Sequence, residues 1–272
     1  MRAISSVVDV AVFLLLVSAA VGTLTLAHDG GGERVTVDDR ANLLATSTAD
    51  IEYGLGGADR RAHGTVAWLL GRAAVANAAI DGTELSTRHA GYERRVRNAT
   101  RRMLGPANRT TVVVRWDPYR GAPVDGTLRV GARPPAGADV TVATVTVPSP
   151  APSVGATEVR REGGGFDGVG TAAARATVRA LLPESRAAIP TRTEAPATVV
   201  TATRFRTLAA ATGTDVDGPL ARGNVSLARH RLVAGLADRF ERDMRERFAS
   251  PDEAARAIRV GTVRLTLRRW EA

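Results

Sequence analysis

The chain contains no cysteine. That absence excludes disulfides, thiolate metal sites and cysteine nucleophiles together. Lysine and glutamine are missing too, so all 37 basic residues are arginine. Aromatic residues make up only 4 % of the 272 positions, against 44 % hydrophobic residues overall. A core of this composition is built from Val, Leu, Ala and Ile, and large interface anchors are scarce. The sequence holds no His-Glu-x-x-His pair, no Gly-x-Ser-x-Gly elbow and no internal repeat.

Charge is plentiful but lopsided. Against 28 acidic residues the net charge is +9, which favours acidic partners such as nucleic acid, anionic lipid or acidic surface polymers. The planar guanidinium suits bidentate contact with phosphate or carboxylate. Most arginines are scattered among Asp and Glu. The one dense burst is Arg94, Arg95, Arg97, Arg101 and Arg102, the candidate anion contact. Single-strand binders interleave aromatics for base stacking, and only Tyr92 stands nearby, so a nucleic-acid partner is disfavoured. The plainer reading of the burst is the solvated side of a helix.

Other candidate chemistry is thin. His28, His63, His89 and His230 have no metal-ligand spacing. Gly163 to Gly170 precedes a helix, but Thr171 stands where a phosphate loop needs Lys, so a flexible loop is expected. No catalytic, cofactor or metal residue is assigned. Three glycosylation sequons occur, at Asn98, Asn108 and Asn224. Asn98 falls inside an expected helix and is the poorest acceptor.

The N-terminus carries the sharpest signal. Val10 to Ala27, including Phe13 and Leu16, has no charged residue. At about 1.5 Å per residue it spans roughly 27 Å, close to a bilayer's hydrocarbon thickness. Arg2 precedes it, and Asp29, Glu33, Asp38 and Asp39 lie beyond it. The positive-inside rule places the following chain outside the cytoplasm. A retained single-pass anchor is the preferred reading. A secretory signal cleaved near Ser18-Ala19-Ala20 and a buried core helix are the alternatives.

The remainder divides into residues 29–147, a Pro/Gly-rich loop at 148–170, and residues 171–272, together expected to form one α+β ectodomain. A short strand is expected at Val35–Val37 and a weak one from Thr46 to Gly54. Helices are expected from Arg61 to Ala79, capped by Asp59, and from Arg88 to Leu104. Thr110–Trp116, Gly126–Val130 and Asp139–Val147 read as a three-stranded antiparallel meander, with a bulge near Ala143 to reconcile its valine phases. A helix follows at Thr171–Leu182, and Ala197–Ala211 is ambiguous. Leu232, Leu236, Phe240, Met244 and Phe248 mark one face of a long helix from Val225. Ser250-Pro251-Asp252-Glu253 opens another helix, and an alternating strand from Val260 to Leu267 is expected to join the meander.

The start Arg2-Ala3-Ile4-Ser5-Ser6-Val7-Val8-Asp9-Val10, followed by the apolar run, resembles archaeal type IV pilin-like proteins. The resemblance implies processing after Ala3, with Asp9 sixth after the cut. Ala41–Ala49, Ala62–Thr65, Arg115-Trp116-Asp117-Pro118-Tyr119 and Pro134–Val140 are similar to segments of an uncharacterised family of haloarchaeal membrane-anchored proteins. That likeness implies a non-enzymatic surface protein, associated with pilus-like secretion machinery. Its expected partners are the membrane and other proteins of that machinery. The alternative is an extracellular binding module for an acidic polymer: DNA, glycan or surface-layer protein.

Overall fold

A computed structural model describes residues 36–55, 58–85, 90–105, 109–183 and 196–271. Val37–Ala272 form one compact unit. The expected membrane segment, with Val10, Phe13, Leu16 and Ala27, lies outside the described residues. Among the described residues no helix is long and apolar enough to cross a membrane.

Helix α1 (Val37–Thr46) replaces the strand expected at Val35–Val37. Asp38 and Asp39 in its first turn favour a helix start through the dipole. Strands β1 (Thr48–Leu55) and β2 (Ala58–Thr65) form a separate antiparallel hairpin. The helix expected from Arg61 is therefore wrong at its start. Cross-strand pairing explains the difference: Glu52 stands opposite Arg61 and Asp50 opposite His63. Arg61 and Glu52 form an ion pair, and His63 Nδ1 lies 3.0 Å from Asp50 Oδ1. The helix begins only at Val66, and its cap is Thr65, not Asp59. Thr65 Oγ1 accepts from Trp68 N at 3.2 Å.

That helix, α2 (Val66–Ala76), is buried along most of its length. A helix apolar on every side belongs inside a domain. It crosses the inner face of a six-stranded sheet made of β3 (Ala78–Ile80), β4 (Thr83–Glu84), β5 (Thr110–Trp116), β6 (Val124–Val130), β7 (Val140–Pro148) and β8 (Thr262–Trp270). The order is β4-β3-β6-β5-β8-β7 and every pairing is antiparallel. The expected three-stranded meander is thus interrupted: β8, the last strand of the chain, inserts between β5 and β7. No bulge occurs in β7, whose nine residues pair continuously with β8 from Val140↔Trp270 to Pro148↔Thr262. The valine phases conflict because the strand serves both faces. Ala143 and Val147 are buried, whereas Val142 is 52 % exposed on the other side.

Helix α3 (Ala90–Leu104) also packs on α2, with Tyr92 and Val96 buried. The segment expected to be a loop at 148–170 instead contains α4 (Ala156–Arg161) and the first residues of α5 (Phe166–Leu181). Helix α5 thus begins five residues before Thr171, because Gly168 and Gly170 are helical contact positions. A Cβ on Gly170 would stand 3.1 Å from Ala237 O and from Glu241 N. Those atoms belong to the long helix α8 (Val225–Arg247), which needs that close approach. The ambiguous segment is helix α6 (Pro196–Thr212), followed by α7 (Asp217–Ala221). Leu232, Leu236, Phe240 and Met244 are fully buried, as the four-residue spacing demands. Helix α9 (Pro251–Ala257) carries the expected cap: Ser250 Oγ accepts from Glu253 N at 3.2 Å, and Glu253 Oε2 accepts from Ala249 N at 2.9 Å.

The tightest seam lies between α2 and the sheet. A Cβ on Gly126 would stand 2.2 Å from Ala74 O, a backbone atom that cannot rotate away. Gly126→Ala is expected to cost about 1–3 kcal/mol in urea unfolding. Gly54→Ala, with nothing within 4 Å of the added atom, should shift the midpoint far less.

Candidate functional site

The arginine burst sits on α3 where the helical period puts it. Arg94, Arg95, Arg101 and Arg102 are exposed, while Tyr92, Val96 and Thr100 face the core. Arg97 is half-buried and ion-paired with Glu93, which also accepts from Asn77 Nδ2 at 3.1 Å. The exposed members form a stripe and enclose nothing between them. Arg95 reaches a cleft that mixes Arg60 and Arg61 with Glu52 and Asp59. Asn98 is exposed on the same helix, but Thr100 of its sequon is buried and donates to Val96 O at 2.9 Å. Asn224 is exposed and caps α8, accepting from Leu227 N at 2.9 Å. Asn108 lies outside the described residues. His63 is tied to Asp50 and His230 is exposed. His28 and His89 lie outside the described residues.

A second cation cluster arises on the outer face of the sheet, where strand register assembles it. Arg115 of β5 stands directly opposite Arg264 of β8. Thr127 of β6 flanks Arg115 and Thr146 of β7 flanks Arg264, so one row across four strands reads Thr, Arg, Arg, Thr. The next rows on this face add Arg129 and Arg268. Like charges directly opposite one another destabilise a sheet. No carboxylate among the described residues pairs with Arg115 or Arg264.

Beside this row, where β5 ends and β8 begins, the face deepens into a cavity of about 470 Å³. Its wall is the end of β5 and the loop after it, across which runs the motif Arg115-Trp116-Asp117-Pro118-Tyr119. Trp116 Nε1 donates to Val260 O at 2.8 Å, and Ser149 Oγ donates to the same oxygen at 2.7 Å. Arg259 grips Asp117 at two points, its Nε donating to Oδ1 at 2.9 Å and its Nη2 to Oδ2. The backbone N–H of Arg259 donates to Pro118 O at 2.7 Å. Tyr119 is fully buried, edge-on to Phe240 at 5.2 Å and Phe248 at 6.2 Å. These contacts fix the loop, and the fixed loop carries Arg120 to the cavity wall beside Arg115, Arg259 and Arg264. Four guanidinium groups and the single carboxylate of Asp117 leave the lining with three positive charges in excess. The arrangement suits an oxyanion, which arginine meets with two donors at once.

The chain belongs to DUF7284, a family of unknown function. The family model matches residues 8–270, which takes in the whole sheet and every described helix. No curated protein and no solved structure matches.

Sequence reasoning placed the DUF7284 chain's anion contact on α3 and missed the sheet face. Arg115, Arg120 and Arg264 are isolated in sequence, and strand pairing alone makes neighbours of Arg115 and Arg264. The available signal was an arginine at the polar phase of two valine- and leucine-rich strands. Removing one charge tests the repulsion. Arg264→Gln is expected to stabilise the fold by up to about 1 kcal/mol in chemical denaturation, an advantage that fades as added salt screens the pair.

Tyr119 offers a separate test. Its hydroxyl has no hydrogen-bond partner of good geometry. Burial, and then the nearby Asp243 carboxylate, raise its pKa well above the usual value. A raised acid pKa stabilises the fold below the unfolded value of about 10, and that contribution is lost as pH climbs beyond it. Tyr119→Phe is expected to change stability at neutral pH by about 1 kcal/mol or less. It should also flatten the decline above pH 10 in a denaturation series.

Proposed function

We propose that this DUF7284 protein is a non-enzymatic, single-pass surface protein held by residues 10–27. In this reading, residues 37–272 are displayed outside the cytoplasm as a structural or accessory part of a type IV pilus-like or secretion assembly. Strand β7 carries the reading. It is the terminal strand of the sheet, nine residues long, unbulged, and without a single charged side chain. Proteins that stay apart blunt such an edge with lysine, proline, a bulge, inward-facing charge or a covering helix or loop. Here α1 packs against β7 and Pro148 ends it, while Val142, Thr144 and Thr146 stay exposed. A terminal strand of this composition pairs with a strand from a neighbour, whose main chain completes the hydrogen bonding. Val142, exposed beside that edge, supplies apolar area for the contact. Asp117, the carboxylate at the arginine cavity, is committed to Arg259, so its task is positioning.

A photo-crosslinking side chain at Thr144 of the full-length protein, in its native membrane, tests this. The expected product is a covalent adduct with an identified pilus-like or secretion subunit, and Val142→Lys should abolish it. Membranes that hold the chain without any such protein, or an adduct indifferent to Val142→Lys, would overturn the proposal. The arginine face favours a second reading, a binding module for an acidic polymer.

A further inference from the structure

We propose that the cavity between Arg115, Arg120 and Arg264 is a subsite for an acidic saccharide, one carrying oxyanion groups along its chain. The inference rests on reading the displayed unit as a module that meets ligands outside the cell. It concerns the open face of the sheet, not the β7 edge.

Three observations select this ligand class. The first is charge. Arg115 and Arg264 are held opposite one another on adjacent strands, and no carboxylate among the described residues forms an ion pair with either. A ligand with two or more oxyanion groups relieves their repulsion. The third cation, Arg120, comes from a loop fixed by the Asp117–Arg259 pair and by the Arg259 N–H to Pro118 O bond. The three guanidinium groups therefore approach one volume from two strands and a loop, without waiting for the ligand to order the wall.

Size is the second. A cavity of about 470 Å³ holds more than ten waters at about 30 Å³ each. A lone inorganic oxyanion would leave most of it to solvent. The volume lies within the usual range for small-molecule sites, about 300–1,000 Å³, and fits a charged group together with the ring that bears it.

The third is the character of the wall. Apart from the arginines and Asp117, the lining is Gly121, Thr146 and Thr262. It presents no aromatic or aliphatic side chain. Bases of single-stranded nucleic acid need a ring to stack upon, and drug-like ligands need apolar area. No ring is offered here, and the apolar surface is that of arginine stems, threonine methyls and backbone. Threonine hydroxyls both donate and accept. Thr262 Oγ1 donates to Arg259 O at 3.0 Å, which leaves its lone pairs free to accept from a sugar hydroxyl.

The test is titration calorimetry on the full chain in non-ionic detergent, at about 0.1 M salt. Four probes are compared: a sulfated hexasaccharide, its desulfated counterpart, inorganic sulfate, and a single-stranded oligodeoxynucleotide of similar charge. The sulfated hexasaccharide is expected to bind at least tenfold more tightly than any of the others. Arg115→Gln, Arg264→Gln and the loop variant Arg120→Gln are each expected to weaken it about tenfold or more, as loss of a charge-assisted contact requires. Thermal melting should show these variants folded, and Arg120→Gln carries the test should either strand variant not fold. Arg94→Gln with Arg101→Gln on α3 is expected to leave binding unchanged. Equal binding of the oligonucleotide or of inorganic sulfate, or affinity indifferent to all three cavity variants, would overturn the inference. Loss of hexasaccharide binding with the Thr144 crosslink intact would remove this site and leave the assembly reading standing. The reverse outcome would do the opposite.

Discussion

The sheet depends on the clamp between the end of β5 and the entry to β8. Strand β8 is the last element of the chain, yet it lies in the interior of the sheet, between β5 and β7. Without it the sheet falls into two unconnected parts. Two buried hydrogen bonds on Val260 O, from Trp116 and Ser149, anchor the residues that lead into it. Arg259 adds a two-point ion pair to Asp117 and a backbone bond to Pro118. A buried carbonyl stripped of its donors costs the desolvation of that group, about 1–3 kcal/mol. The clamp therefore fixes register as well as contributing stability.

The end of β5 and the loop after it also serve the outer face. Their inward side chains, Trp116 and Tyr119, tie β5 to β8 and to the buried face of α8. Their outward ones, Arg115 and Arg120, line the cavity. Elsewhere several arginines are held in ion pairs along the helices. Arg245 meets Glu241 at 2.7 Å and Arg247 meets Asp243 at 2.8 Å along α8, while Arg206 meets Asp217 at 2.7 Å. Exposed pairs of this kind contribute little to stability, but they neutralise their own cations. The α3 stripe and the sheet face both gather cations that no carboxylate among the described residues pairs with, and on the sheet their concentration is a product of strand pairing.

Local periodicity was legible where one helix face is apolar and the other wet. The stripe from Leu232 to Met244 and the Arg94–Arg102 stripe on α3 both follow from a 3.6-residue repeat. The β-branched runs at β5, β6 and β7 were legible for the same kind of reason. What failed were segments decided by distant partners. Arg61 sits in a strand because Glu52 faces it. Gly168 and Gly170 sit in a helix because α8 needs a bare surface to approach. Val142 faces outward with no bulge, because both faces of β7 accept valine.

Composition and order along the chain determined the α+β class, the scarcity of aromatic anchors, the all-arginine basicity and the long amphipathic helix. Those are properties of residues and their near neighbours, and near-neighbour physics suffices to read them. Tertiary structure alone decided that β8 threads between β5 and β7. It also decided that Arg115 meets Arg264 across 149 positions of sequence, and that the loop between β5 and β6 carries a cavity wall. Strand pairing joins residues through backbone hydrogen bonds that are blind to side-chain identity, so nothing in either segment announces its partner.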